Sequence, residues 1–244
     1  MDLGRCAGAV RSWWFKEEAP AAPGQEEVDL INKFARFHTV NKETLRPFIS
    51  LCPRIEYLTN PVNMRWIGTA SPVGDRVIAS WSGNADHWNP AHQDVKGFRS
   101  IVQPACSMAR IPLIFAEYTM NRIAPCDMPD FYRSASIVLC ASLYEGASNS
   151  VMEAMAAGLA VVATNVGNHR EMQESQLRHL GDTGIIIIED RSKEAFADVL
   201  CSLKHKRIAE MGAINRHEIA ERWSWDSWKD RYAVFLHKAL EWIA

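Results

Sequence analysis

Residues 136–158 read SIVLCASLYEGASNSVMEAMAAG, and the order of residue types along this stretch decides the fold. Ser136 to Ser142 is a short, β-branched apolar run of the kind that makes a strand buried on both faces. Ser150 to Ala157 predicts a helix, and Gly158 is its stop. Glu145 and Glu153 stand around the join of the two, so both carboxylates flank one helix N-terminus. The first turn of a helix leaves backbone N–H groups unpaired and carries the positive end of the dipole, which makes it a seat for phosphate. Carboxylates beside such a seat can hold hydroxyl groups.

Each glutamate also has a purely structural reading. Ser150 and Glu153 are three residues apart, which is the spacing of a capping box and needs no ligand. Glu145, in a loop before Gly146, reads as a solvated charge if it has no ligand. Both readings of each residue stand open on spacing alone.

The longer segment Arg133 to Met172, RSASIVLCASLYEGASNSVMEAMAAGLAVVATNVGNHREM, resembles the donor-binding domain of the retaining family 4 glycosyltransferases, which have the GT-B fold. The resemblance rests on the spacing of the two glutamates, the small-residue helix end AMAAG, the strand LAVVAT and the turn with Val166, Gly167 and Glu171. It extends more weakly over Arg76 to Ala244. It implies an α/β fold, a Rossmann-like doubly wound parallel sheet forming the donor domain, with a small, incomplete N-terminal region. It also implies that Glu153 hydrogen-bonds the ribose of a nucleotide sugar and that Glu145 contacts hydroxyls of the transferred sugar. Backbone amides near Ala147, Ser148, Asn149 and Ser150 would face the sugar and the diphosphate.

Upstream, Arg76 to Gly97 reads RVIASWSGNADHWNPAHQDVKG. In the resembled family the first donor-domain strand ends in Gly-Arg, and a Lys-Gly pair follows. Gly83 matches the glycine, and Lys96 with Gly97 matches the pair; Asn84 stands where the arginine would be. A lysine is a point charge suited to a diphosphate, whereas losing the arginine removes a bidentate clamp and leaves at most one amide donor. Lys96 also reads as an ordinary surface lysine. Between the strand expected at Ile111 to Phe115 and the helix expected at Met128 to Tyr132, the resemblance places the nucleotide base near Tyr118, Arg122 and Ile123.

His87, His92, Asp86 and Asp94 invite a metal site, but their spacing matches no zinc pattern and no cysteine is near. The resembled enzymes are generally metal-independent, so no metal and no cofactor beyond the donor is expected. Trp81 and Trp88 read as core or loop anchors, or as a platform for a sugar face.

The chain has 244 residues, 48% of them hydrophobic, enough for one large domain or two small ones. With 27 basic and 29 acidic residues its net charge is −2, which gives no indication of nucleic-acid binding. Cys6, Cys52, Cys106, Cys126, Cys140 and Cys201 lack paired spacing and fit reduced thiols in a cytoplasmic protein. No apolar run has membrane-spanning length, and no signal peptide is expected. Trp13, Trp14 and Phe15 beside Arg11 and Lys16 offer a foothold for peripheral membrane contact, or a buried segment.

Expected organisation is a shortened acceptor-side region over residues 1–70, the nucleotide-sugar-binding domain over 71–225, and a C-terminal helix over 226–244 that packs back toward the N-terminal region. Glu17 to Glu27 reads as a linker or loop, Val28 to Phe37 and Thr44 to Leu51 as helices, and Arg54 to Leu58 as a strand. Asn60-Pro61-Val62-Asn63 resembles the turn that precedes the donor domain in the family. Ser192 predicts a cap for a helix through KEAFADVLCSLKHKR, and the cluster Trp223, Trp225 and Trp228 leads into a final helix to Ile243, its aromatics expected in the core. In the family a complete first domain comes before the turn at Asn60. A doubly wound domain needs on the order of 100 residues. The expectation is then either a truncated two-domain enzyme, or a short form whose acceptor side comes from its own N-terminal segment, another subunit or a separate protein.

The function expected is a retaining transfer of a sugar from a nucleoside diphosphate sugar to a hydroxyl acceptor. The alternatives are a non-catalytic binding or assembly module derived from a donor domain, and a sugar-nucleotide epimerase.

Overall fold

A computed structural model describes residues 25–32, 37–40, 42, 46, 49–53, 55–69, 74, 76–86 and 94–241. The chain divides into two compact units, one of residues 1–60 with 228–244 and one of residues 61–227.

The larger unit holds a five-stranded sheet whose pairings are all parallel. Its strands are β3 (Ala79–Gly83), β4 (Leu113–Glu117), β5 (Ile137–Cys140), β6 (Ala160–Thr164) and β7 (Ile185–Ile188). Their spatial order is β4-β3-β5-β6-β7. The strand after β3 turns one way and the next turns the other, so the direction of winding switches between β3 and β5, where α/β sheets open a crevice at the carboxyl ends of their strands.

Every residue of β5 and β6 is buried, as the apolar run predicted. Successive side chains serve opposite layers, because a strand alternates faces. Ile137, Leu139 and Val162 pack with Phe98, Ile101, Phe196 and Leu200 in one core. Val138, Val161 and Ala163 pack with Tyr132, Met152, Met155 and Met172 in the other. Trp81 belongs to the first core, with its ring stacked on Phe98 at 4.2 Å between centroids.

Helices cover both faces. A π-helical turn, Phe98–Val102, runs into α3 (Gln103–Ala109), and a 3-10 turn, Pro125–Asp127, runs into α4 (Met128–Arg133). They are followed by α5 (Asn149–Ala156), α6 (His169–Leu180), α7 (Lys193–Ser202), α8 (His205–Glu218) and a second π-helical turn, Ile219–Trp223. After α5 the chain passes through Gly158 at φ 87°, a left-handed position that suits glycine. The close contact of α8 requires Gly212, where a Cβ would lie 2.0 Å from the Gly158 carbonyl oxygen. Asn215 secures it by donating to the Leu159 and Gly184 carbonyls at 2.7 and 2.8 Å.

One helix was expected through Lys193 to Arg207; the chain makes two. Ser192 caps the first by accepting from the Ala195 amide at 3.2 Å. Leu203 and Lys204 are then extended, which ends α7 and starts α8. Asn63 is the cap of a short helix, α2 (Met64–Ile67), and accepts from the Arg65 and Trp66 amides.

In the smaller unit, α1 (Gln25–Asn32) begins three residues before the helix expected at Val28 and ends before Phe37, where β1 (Phe37–Thr39) starts. Strand β1 pairs in parallel with β2 (Ile55–Tyr57). The helix α9 runs from Trp225 to Glu241. Its Trp228 and Phe235 pack with Leu58, Tyr57 lies edge-on to Trp228, and Tyr232 donates to the Thr59 carbonyl at 2.7 Å. The aromatic cluster was expected in the core. Trp223 and Trp228 are there, but Trp225 is 50% exposed, because the first turn of α9 faces it to solvent. Of the helix expected over residues 44–51, positions 46 and 49–51 are described and form turns, not helix, as suits a chain interrupted by Pro47; the rest of it, the loop over 17–24 and the foothold at Trp13 to Phe15 lie outside the described residues.

Candidate functional site

The residues singled out in the sequence converge at the switch point between β3 and β5. A cavity of about 390 Å³ is lined by Gly83, Lys96, Glu145, Ser148, Asn149, Ser150 and Glu153, together with Ser82, Tyr132 and Cys140. A second, of about 580 Å³, shares Ser82, Gly83 and Met128 with the first and adds Asn84, Glu117, Tyr118, Arg122 and Ile123. The two thus form one cleft over the carboxyl ends of β3, β4 and β5.

Lys96 and Glu145 meet in this cleft. Lys96 Nζ lies 2.6 Å from Glu145 Oε1, and both side chains are more than three-quarters buried. Ser142 Oγ donates to the same oxygen at 2.7 Å. Three contacts hold the lysine loop against β5. The Leu143 amide donates to the Val95 carbonyl at 2.8 Å. Arg191 Nε donates to the Ala141 carbonyl at 2.8 Å and its Nη2 donates to the Asp94 carbonyl. Gly97 adopts φ 66°, and a Cβ there would lie 2.5 Å from the Ala141 carbonyl oxygen. On the other side, a Cβ at Gly167 would lie 2.9 Å from Glu145 Cβ, so this glycine lets the β6–α6 turn lie against the glutamate loop.

The two ends of the helices nearest the cleft are treated differently. Asp94 fills the first one: its carboxylate accepts from the amides of Gly97, Arg99 and Ser100 at 2.8 to 3.1 Å, and from Ser100 Oγ. At α5 the N-cap residue makes no side-chain capping hydrogen bond. Ser148, at the N-cap position, is 3% exposed and its Oγ has no hydrogen-bond partner among the described residues. An unsatisfied buried hydroxyl is costly unless something fills the space it lines. The opening of α5 therefore keeps both its dipole and a spare hydroxyl for the cavity.

Glu153 makes no capping box with Ser150. One turn inside α5, it instead accepts from the Tyr132 hydroxyl at 2.8 Å. Burial pushes its carboxyl above the ordinary range, and the tyrosine hydrogen bond works against that rise. Asn84 uses its side chain locally, accepting from the Asp86 amide at 3.0 Å. Ile123 and Arg122 lie in the second cavity, the guanidinium 5.3 Å from the centre of the Tyr118 ring.

Four residues that line or support the cleft carried no signal in the sequence for the part they play: Glu117 and Tyr132 in its lining, and Asp94 and Arg191 behind the lysine loop. Glu117 ends β4, and its buried carboxylate accepts from Ala85 N, Thr119 N, Thr119 Oγ1 and Met120 N. Burial would raise its pKa, but these hydrogen bonds outweigh burial and bring it to about 2. It pins the β3 and β4 loops together. Under the Glu145 loop, Cys140 and His169 are buried together. Burial opposes charge on both, yet their mutual attraction lowers the thiol and raises the imidazole.

The metal candidates divide. Asp94 is the helix cap, Asp86 pairs with Arg99 at 2.8 Å, and His87 and His92 lie outside the described residues, as does Trp88. Among the described residues no group of three or more His, Cys, Asp or Glu side chains could hold a metal ion.

Residues 113–206 match the protein-family model described as Glycosyl transferases group 1. No curated protein sequence matches the chain. Among solved structures, it is similar to a glycosyltransferase from Rickettsia africae, with TM-score 0.67 and 13% identity over 89% of this chain and 68% of that one. It is similar to HepE from Anabaena, a structure containing UDP and glucose, with TM-score 0.70 and 14% identity over 87% of this chain and 66% of that one. It is also similar to the catalytic domain of starch synthase IV from Arabidopsis thaliana bound to ADP and acarbose, with TM-score 0.61 and 9% identity over 95% of this chain and 62% of that one. The chain thus spans about two thirds of the length of these proteins. Its fold is that of GT-B glycosyltransferase domains, and residues 113–206 carry the match to the glycosyl transferases group 1 family.

Proposed function

We propose that the chain binds a nucleoside diphosphate sugar and takes part in transferring the sugar, with retention, to a hydroxyl acceptor. The observation that carries this reading is one cavity that combines an uncapped helix N-terminus, an unsatisfied Ser148 hydroxyl, the Lys96 ammonium and two carboxylates. Cationic and amide donors suit a diphosphate; carboxylates suit sugar and ribose hydroxyls.

In this reading the diphosphate lies between Lys96 and the first turn of α5, the ribose reaches Glu153, and the base enters the cavity with Tyr118, Arg122 and Ile123. Glu145 orients the transferred sugar. The bond from the anomeric carbon to the leaving phosphate oxygen breaks, and the acceptor oxygen bonds to that carbon on the same face. The acceptor proton passes to the departing diphosphate, whose growing charge Lys96 and α5 stabilise. The acceptor side is supplied by a further segment, a second copy of the chain or another protein. Peripheral contact with a membrane suits a lipid acceptor; no helix among the described residues is long and apolar enough to cross one.

One observation favours a second reading, a non-catalytic donor-binding module: Asn84 stands where the resembled family has an arginine, and its Oδ1 is held in its own turn by the Asp86 amide, so the bidentate phosphate clamp is missing. Isothermal calorimetry with UDP-, ADP- and GDP-glucose tests binding, and product analysis with simple hydroxyl acceptors tests transfer. Saturable heat with one donor, reduced about tenfold or more by Lys96→Ala, is the expected result. A folded protein that gives no heat with any donor would overturn the proposal. Binding with no transfer, even with added partners, would leave the second reading.

A further inference from the structure

We infer that Glu145 competes with the diphosphate for Lys96, so that the cavity selects a sugar-bearing diphosphate over the bare nucleoside diphosphate. This inference rests on the donor-site reading above and adds a role for Glu145 that sugar contact alone does not give.

The starting point is the ion pair itself. Lys96 Nζ is 2.6 Å from Glu145 Oε1, and Ser142 holds the same oxygen at 2.7 Å. Both residues are confined from behind. Arg191 fixes the chain before Lys96 through the Asp94 carbonyl, and Gly167 packs the β6–α6 turn against the glutamate. The backbones that carry the two charges are therefore held close together, and an anion that reaches Lys96 also comes near Glu145.

For a bare diphosphate this closeness is a cost with no return. The ligand must take lysine hydrogen-bonding capacity from Glu145 and then sit beside an anion in a partly desolvated cavity. A free terminal phosphate makes matters worse, because it loses its last proton near about pH 6 and carries more charge than an esterified one. A sugar on that phosphate changes both terms. It removes the extra charge and places hydroxyl donors where Glu145 can accept them, so the carboxylate trades the lysine for hydroxyls. When transfer removes the sugar, those donors leave and the extra charge appears. Glu145 then returns to Lys96 and helps expel the nucleotide, a step that often limits turnover.

The test compares affinities of the full chain for UDP, ADP and GDP with those for the matching glucose conjugates, in the unsubstituted protein and in Glu145→Gln. Glutamine keeps the size and the Ser142 contact but removes the charge. The expected result has opposite signs. Glu145→Gln binds the bare diphosphate about three- to tenfold more tightly and the sugar conjugate more weakly. Glu145→Asp, which retracts the carboxylate from Lys96, guards against a glutamine variant that fails to fold and should also tighten the bare diphosphate. Unchanged or weaker binding of the bare diphosphate by the folded variants overturns the inference while leaving the donor site standing. If neither ligand class binds any of the proteins, the donor reading falls and the inference falls with it.

Discussion

The Tyr132 hydroxyl donates to Glu153 Oε2 at 2.8 Å, joining α4 to α5 across the cavity wall. Tyr132 is 1% exposed, so the ring is held by the core while its hydroxyl reaches the one carboxylate that α5 presents to the cleft. The pair fixes which carboxylate oxygen remains for a ligand.

Tyr132→Phe keeps the ring and removes that donor. Stability should fall by about 1.5–3 kcal/mol in urea unfolding, the range for a hydrogen bond to a charged group. Affinity for a nucleotide sugar should fall with it, because Glu153 loses its fixed orientation.

The raised pKa of Glu153 has a signed consequence. A carboxyl that is easier to protonate when folded contributes its stability below its ordinary value of 4.5, and loses it as pH rises through the higher folded value. Relative to Glu153→Gln, the unsubstituted protein should become less stable as pH rises from acid toward neutral. Thermal unfolding of both proteins across that window checks it.

Glu117 should behave in the opposite sense. Its pKa falls from 4.5 to about 2, so its contribution is present above 4.5 and is lost as pH drops from there toward 2. Glu117→Gln should lower the melting temperature at neutral pH, and the gap between the two proteins should close as the solution is acidified.

Gly97 and Arg191 test whether the lysine loop is positioned rather than merely present. Gly97→Ala brings a methyl group to 2.5 Å from the Ala141 carbonyl at a left-handed φ of 66° and should cost about 1–3 kcal/mol. Arg191→Ala leaves every donor group of the cavity in place, yet should weaken diphosphate-sugar binding several-fold by releasing Asp94 and Lys96. Calorimetric titration beside an unfolding curve separates the binding effect from lost stability.

The strand at Ile137–Cys140, the helix at Asn149–Ala156 and the placing of Glu145 and Glu153 about one helix end were legible because their signals are local, whereas Lys96, 49 residues before Glu145, was singled out only by the family resemblance. A β-branched run, a glycine stop and a short loop each act within a few residues. The hydrogen bond from Tyr132 to Glu153 spans 21 positions and the contact from Arg191 to Asp94 spans 97, so no periodicity announces either. The break between α7 and α8 was hidden for another reason. Phe196, Leu200 and Ile208 serve one core on both sides of it, so the apolar spacing continues while the backbone at Leu203 becomes extended. Ser150 and Glu153 had capping-box spacing, but the buried Tyr132 hydroxyl took the carboxylate instead.

The most direct measurement is a crystal structure of the full chain grown with a nucleoside diphosphate sugar that binds in solution. In that structure the diphosphate should lie against Lys96 and the amides opening α5, the ribose on Glu153, and sugar hydroxyls on a Glu145 that has given up its hydrogen bond from Lys96. A nucleotide bound away from the switch point, or one in the cleft that leaves Lys96 paired to Glu145 and touches neither glutamate through its hydroxyls, would contradict this placement.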